Sequence, residues 1–279
     1  MRRISLIVIV LLLVFACRLE AAQRIISLAP NTTEILFSLG LGDSIVGLDD
    51  FSDYPKEVKN IERLGTFNNP NIERIILLRP DYILVNSGLG KTKEDYFNSL
   101  GVKIIKISPK TIEGLYSDIR QLGIVFNKEQ AAENVLRDMQ SMIKNISQKR
   151  IGPSPKVFVQ LFDDPLITVS SFVSDIIRLA GGENIAQDIK DDSGVFSYEA
   201  LIDRNPDIIL AIGFADKTNF SDSVNAVKNK KIYKDLDPDL ILRPGPRAVD
   251  AIEMLNKIFY PPSQDIVFRS FSERGNVKQ

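Results

Sequence analysis

The stretch IERIILLRPDYIL, residues 72–84, decides how this chain is read, because the chain repeats it. From Glu73 the sequence runs ERIILLRPDYILV; from Glu199, 126 residues later, it runs EALIDRNPDIILA. Six of the thirteen paired positions are identical: Glu73/Glu199, Ile76/Ile202, Pro80/Pro206, Asp81/Asp207, Ile83/Ile209 and Leu84/Leu210. In each copy, apolar residues at helical spacing run into a proline. The residue before a proline avoids the right-handed helical region, so the helix stops there. A short apolar strand follows, YILV over 82–85 and IILAI over 208–212. The first copy predicts a helix over 72–78 with Ile75, Ile76 and Leu78 facing inward.

Working outward, the same alternation recurs. RIISLA at 24–29 reads as a strand, residues 31–39 as a helix ended by Gly40 and Gly42, and IVGL at 45–48 as the next strand. Asn31 and Glu34 have the spacing of a capping box. A helix over 94–100 and a strand over 102–107 complete the first half. Strand, helix, strand in this order is the mark of a parallel α/β unit. Residues 112–126 form one helical segment and 128–149 a second, with Ala131, Val135, Met139, Met142, Ile143 and Ile146 near helical spacing. The second has no internal Gly or Pro, and about twenty residues reach roughly 30 Å. After Gly152-Pro153-Ser154-Pro155 the pattern starts again: a strand at 157–161, a helix at 172–180, the second glutamate helix, and a last helix at 247–259 opened by Pro244-Gly245-Pro246. The fold class is therefore α/β: two α/β lobes with central sheets, joined by a long helix. The expected boundaries are 23–127 for the N-terminal lobe, 128–150 for the connecting helix, 151–260 for the C-terminal lobe and 261–279 for a polar tail.

Residues 1–22 read differently. Arg2 and Arg3 precede an apolar run over 4–16 broken only by Ser5, and small residues follow. Thirteen residues are too few to span a bilayer, and they suit a signal peptide. Val14-Phe15-Ala16-Cys17 resembles a lipoprotein signal with Cys17 as the acylated residue. The expected location is therefore outside the cytoplasm, in the periplasm or on the outer face of the membrane.

Composition removes several functions. Across 279 residues there is no His and no Trp, and Cys17 is the only cysteine. Histidine-based triads, Cys–His dyads and His-ligated metals are excluded. A net charge of -1 gives no support to nucleic acid as a partner. No nucleophile elbow, phosphate loop or dinucleotide fingerprint occurs, so no catalytic residue, metal site or cofactor is assigned. An enzyme would have to work with acidic pairs such as Asp163-Asp164 and Asp191-Asp192.

Several segments together carry a resemblance: RIISLAPNTTEILFSLGLGDSIVG, FSDYP at 51–55, NPNIERIILLRPDYILV, LAGGENI at 179–185 and RPGPR at 243–247. In order and spacing this resembles the periplasmic substrate-binding proteins of ABC importers, in the branch that carries vitamin B12, ferric siderophores and haem. The resemblance spans nearly all of residues 24–260. It implies the helical-backbone binding-protein fold, a ligand held in a cleft between lobes, and a monomer whose partner is a membrane permease. It carries Glu73 and Glu199 over as the carboxylates, one per lobe, that dock on permease arginines. Helix stabilisation by an acidic first turn is the alternative for both. The resemblance also places Asn31, Phe51, Phe67, Phe162, Asp239 and Arg243 at the ligand. The phenylalanines would cover macrocycle faces, and Asp239 with Arg243 would meet polar edge groups. Core packing for the rings and a simple Asp239–Arg243 pair are the alternatives.

The missing tryptophan departs from cobalamin binders, and the missing histidine leaves tyrosine as the haem ligand by residue type: Tyr54, Tyr198 or Tyr233, with Tyr82 discounted as a strand residue. A corrinoid ranks first, an iron chelate second and haem third. The zinc and manganese binders of similar fold rely on histidine and do not fit. A sensor subunit that signals without import stays open at this stage.

Overall fold

The computed structural model describes residues 23–212 and 220–261. The signal-peptide, Cys17 and polar-tail expectations lie outside them. The described chain forms two compact units. One holds the described residues up to Pro109 with Gly114–Leu136, and the other holds Lys110–Glu113 with the described residues from Arg137 onward.

The first unit runs β1 (Ile25–Ser27), α1 (Pro30–Ser38), β2 (Ile45–Leu48), a hairpin of β3 (Gly65–Thr66) and β4 (Asn69–Pro70), α2 (Ile72–Leu77), β5 (Tyr82–Val85), α3 (Lys91–Ser99), β6 (Lys103–Lys106) and α4 (Ile112–Val125). Its sheet has the order β2-β1-β5-β6, and every pairing is parallel. Ile26, Leu28, Ile83 and Val85 from the sheet pack with Leu64, Ile75 and Phe97 in one apolar cluster. α5 (Glu129–Ser147) follows, and the division between units falls inside it. Its buried residues are Ala132, Leu136, Met139 and Ile146. The buried stripe is thus rotated from the expected one: Ala132 and Leu136 replace Ala131 and Val135, and Met142 is exposed.

The second unit runs β7 (Lys156–Asp163), β8 (Leu166–Val169), α6 (Phe172–Ala180), β9 (Glu183–Asn184), β10 (Ser193–Val195), α7 (Tyr198–Arg204), β11 (Ile208–Ala211), α8 (Asn225–Lys228), β12 (Ile232–Tyr233), α9 (Pro238–Leu242) and α10 (Ala248–Phe259). This sheet is not a copy of the first. Its order is β10-β8-β7-β11-β12, with β9 on β7. β7 pairs β11 in parallel but β8 antiparallel. The sequence reading missed β8 and β10. LITV, residues 166–169, is four residues long and sits one turn after β7, so no helix separates it as a parallel crossover would require.

What the two units share is the repeated stretch. α2 and α7 are capped alike: the Asn71 side chain accepts from the Arg74 amide, and the Ser197 hydroxyl accepts from the Ala200 amide, each at 3.0 Å. Both helices end on a left-handed residue just before the proline, Arg79 at φ 46° and Asn205 at φ 47°. Then Asp81 and Asp207 do the same work. The Asp81 amide donates to the Arg24 carbonyl at 2.8 Å, and its carboxylate accepts from the Arg24 amide at 2.8 Å. The Asp207 amide donates to the Lys156 carbonyl at 2.8 Å, and its carboxylate accepts from the Lys156 amide at 3.0 Å. Arg24 and Lys156 stand at the head of the central strand of each sheet, β1 and β7. One part of the expectation needs correction. Ile75 is buried, but Ile76 faces solvent, because a helix this short has only one row of residues against the sheet.

The left-handed turn gives a stability test. Asn tolerates this conformation, and the Asn205 side chain also accepts from the Asn225 amide at 2.8 Å. Asn205→Gly should lose about 1 kcal/mol, from the hydrogen bond alone, and Asn205→Val about 2–3 kcal/mol, from the bond and the backbone strain together. Urea denaturation measures both, and equal losses would remove the backbone term.

Candidate functional site

In the first unit the candidate ring surface is built over a buried carboxylate. β2 ends at Leu48, and the next residue, Asp49, is fully buried. Ser52 donates its hydroxyl to Asp49 Oδ1, and the Phe51 amide donates to Oδ2 at 3.2 Å, which folds the FSDYP loop back over the strand end. The Arg63 guanidinium then staples this loop from the other side, through the carbonyls of Asp49 at 2.7 Å and Ser52 at 2.6 Å. Behind it lies a chain of buried hydroxyls, with Thr33 Oγ1 2.8 Å from both Ser27 Oγ and Ser52 Oγ. This polar chain leaves the Phe51 ring outside, 53% exposed.

Phe67 reaches the same neighbourhood by another route. It is the first residue of the two-residue turn between β3 and β4, in which Thr66 faces Asn69. Gly65 permits the hairpin: its φ is +90°, and a Cβ there would stand 2.8 Å from the Asn69 carbonyl. The Asp50 amide donates to the Gly65 carbonyl at 3.0 Å, tying the Phe51 loop to this hairpin. Phe67 is 40% exposed, and Tyr54, also exposed, lies three residues after Phe51. Both expected rings are therefore surface rings rather than core, held on two joined loops of one unit.

Asn31 is placed differently from the expectation. α1 begins at Pro30 with no side-chain cap, so Asn31 and Glu34 form no capping box. Asn31 lies in the first turn, buried, and its amide donates to the Ile107 carbonyl at 3.3 Å. Proline suits a first helical position, so the helix starts at Pro30 and Asn31 stands inside it rather than as its cap.

In the second unit, Phe162 sits near the carboxyl end of β7 and is exposed. Asp239 and Arg243 pair across one turn at 2.6 Å, with the arginine side chain only 12% exposed. Asp239 is the second residue of α9, where the Asp237 side chain caps its amide at 2.9 Å, and Arg243 opens the RPGPR turn into α10. Of the acidic pairs, Asp163 accepts from Gln160 Nε2 at 2.6 Å, and Asp192 is paired with Lys110. Partial burial raises the Asp192 carboxyl, but hydrogen bonds from Lys110 and Ser171 with the lysine charge hold it below its usual range. Among the tyrosines, Tyr82 packs edge-on against Phe126 with ring centroids 5.0 Å apart, whereas Tyr198 is exposed. Burial pushes the Tyr233 hydroxyl up. No cluster of three metal-ligating side chains occurs among the described residues.

Glu73 and Glu199 lie in the first turns of α2 and α7, and both are exposed. The arginines of these helices are engaged elsewhere: Arg74 Nε with Glu62 at 2.7 Å, and Arg204 in a two-point pair with Asp188 at 2.7 and 2.9 Å. Neither glutamate has a salt bridge among the described residues.

Residues 25–240 match the periplasmic binding protein family. The chain belongs to that family. A vitamin B12-binding protein of Vibrio vulnificus is 32% identical over 260 residues, covering 89% of this chain and 95% of its own length. An uncharacterized ABC transporter substrate-binding lipoprotein of Bacillus subtilis is 31% identical over 257 residues, covering 86% and 80%. A crystal structure of a possible iron-binding, periplasmic solute-binding protein from Staphylococcus epidermidis superposes with a TM-score of 0.74 at 30% identity, covering 85% of this chain and 98% of that one. As a periplasmic binding protein, the chain binds and carries a solute rather than catalysing a reaction, and it works outside the cytoplasm.

Asp49 supplies a test of the loop's foundation. Desolvation raises its carboxyl above 3.8, against the hydrogen bonds from Ser52 and Phe51 and the charge of Arg63. A raised folded-state value means that its stabilising contribution is complete below the unfolded value and is lost as pH rises through the folded one. Asp49→Asn removes the titration and keeps one acceptor oxygen, for the Phe51 amide, while its Nδ2 donates to the Ser52 hydroxyl. Melting temperatures from pH 3.5 to 7 should show the wild type losing stability relative to this variant as pH rises above about 4. Parallel curves would rule Asp49 out as the source.

Proposed function

We propose that this periplasmic binding protein captures a corrinoid and delivers it to the permease of an ABC importer. The observation that carries the reading is its 32% identity to a vitamin B12-binding protein over nearly the full length of both chains. The geometry supports it in kind. Phe51 and Phe67 present exposed aromatic faces suited to a large flat ring system, with Phe162 the corresponding ring of the second unit. Asp239 and Arg243 would meet amide or carboxylate groups at the ligand's edge, while Asn31, buried and bonded to the Ile107 carbonyl, would hold the backbone behind the site rather than touch the ligand. In this reading residues 23–127 and 151–260 are the two lobes and 128–150 the helix between them. Glu73 and Glu199 are the permease-docking carboxylates, whose pairing with arginine supplies orientation as well as attraction.

A second reading, an iron chelate in place of the corrinoid, is favoured by the likeness to the Staphylococcus epidermidis protein. Haem is the third ligand to try. Calorimetric titration with cyanocobalamin, a ferric siderophore and haemin separates them. The expected result is one-to-one binding of cyanocobalamin tighter than about 1 μM, weakened about tenfold or more by Phe51→Ala or Phe67→Ala. Binding of an iron ligand alone would move the protein to the second reading.

Anchoring belongs to the same proposal, since the Bacillus subtilis relative is a lipoprotein and Cys17 stands in a lipoprotein-like signal. Metabolic labelling with palmitate should mark the protein and fail with Cys17→Ser. An unlabelled wild type would place the protein free in the periplasm, and a labelled Cys17→Ser variant would remove Cys17 as the acylated residue.

A further inference from the structure

The six identities of the repeated stretch divide by what they do inside each unit. Pro80/Pro206 and Asp81/Asp207 make the turn that ties helix to strand, and all four of Ile83/Ile209 and Leu84/Leu210 are fully buried in β5 and β11. The fold accounts for these. Two identities are left, Glu73/Glu199 and Ile76/Ile202. Neither isoleucine faces the core: Ile76 is 36% exposed and Ile202 46%, while their neighbours Ile75 and Leu201 fill the inward row at 0% and 1%. Neither isoleucine belongs to the apolar cluster of its unit. Three residues apart on a helix, each glutamate and its isoleucine lie on one face.

A single exposed isoleucine means nothing, since apolar atoms make up much of any protein surface. Here the same branched residue stands at the same place in two units whose sheets differ in strand order and direction. The flanking positions are not shared: Leu77, 70% exposed, corresponds to Asp203, and Arg74 to Ala200.

We infer that Ile76 and Ile202 are the apolar halves of two equivalent docking patches, each pairing a carboxylate with a branched side chain three residues on. The occupant is the permease already proposed for Glu73 and Glu199, and this inference rests on that reading. Its two contact surfaces would each carry an arginine beside an apolar hollow that admits an isoleucine. The carboxylate steers and orients the approach, in a salt-dependent way. Burial of the isoleucine is insensitive to screening and holds the complex once formed.

The test uses the purified protein and the importer complex of the same organism, reconstituted in nanodiscs, with binding measured at 50 and 500 mM salt. The double variant Ile76→Ser with Ile202→Ser should bind about tenfold or more weakly at both salt concentrations, with an unchanged melting temperature. Ile76→Leu with Ile202→Leu should recover most of the loss. The pair Glu73→Gln with Glu199→Gln should weaken binding chiefly at low salt. If the glutamate variant weakens and the serine variant does not, the isoleucine inference falls and the docking reading stands. If neither weakens, both fall. A wild-type dimer in sedimentation that the serine variant abolishes would assign these faces to self-association and overturn the inference.

Discussion

Everything in this chain hangs from one reciprocal contact made twice. An aspartate after a proline holds the first strand of each sheet by its backbone, through the Asp81 amide and carboxylate on Arg24 and through the same groups of Asp207 on Lys156. The contact fixes register directly. With Asp81 bonded to Arg24, Tyr82 falls opposite Ile25 in the parallel pair of β5 and β1. With Asp207 bonded to Lys156, Ile208 falls opposite Val157 in the pair of β11 and β7. A slip by one residue would turn Ile83 or Ile209 from the core to the opposite face. Backbone polar groups at a strand head must be satisfied in any case, and these aspartates satisfy an amide and a carbonyl together.

From that anchor the candidate sites follow by direction. In an open α/β sheet, loops at the carboxyl ends of strands are where ligands are met. Asp49 and the Phe51 loop stand just beyond β2, Asn31 lies in the first turn of the helix that follows β1, and Phe162 is near the end of β7. α2 and α7 each descend to the anchored end of their sheet, so the glutamate in the first turn stands about 10 Å away, toward the carboxyl ends. The ring-bearing loops are not loose. A buried carboxylate, an arginine staple and three linked hydroxyls hold the backbone of the Phe51 loop, so the ring can be exposed without the loop being unstructured.

How much of this could be read from residues alone varied with the kind of signal. The repeated stretch gave helix, stop and strand to within a residue, because proline, a left-handed turn and a run of β-branched residues act locally. The parallel order of the first sheet followed from strand–helix alternation. The second sheet did not follow, because β8 is only LITV after a tight turn and nothing in four residues states direction. Asn31 was misplaced for a related reason: its spacing to Glu34 fits a cap, but Pro30 starts the helix one residue earlier and turns Asn31 into an interior hydrogen-bond donor. The surface placement of Phe51 and Phe67 was legible only through resemblance, since a phenylalanine near a strand end is as easily core. The staple by Arg63 had no sequence signal, because it is made to two carbonyls and any donor side chain of the right reach would do.

The duplication also explains why the glutamate keeps its distance from the proline when so much else has drifted. In each unit the turn is pinned to the central strand by backbone atoms, and a short helix of fixed geometry leads from the pin to the carboxylate. The glutamate therefore holds the same place relative to its own first strand, whether the sheet is four parallel strands or six mixed ones. One residue inserted between Glu199 and Pro206 would rotate the carboxylate by about 100° around the helix. Placed after Leu201, it would also move Leu201 out of the core. Packing thus guards the spacing from the inside, through Ile75 and Leu201. The same spacing sets the aim of whatever stands on the outer face. A partner with two like halves needs such equivalence, and the fold maintains it with no contribution from the partner itself.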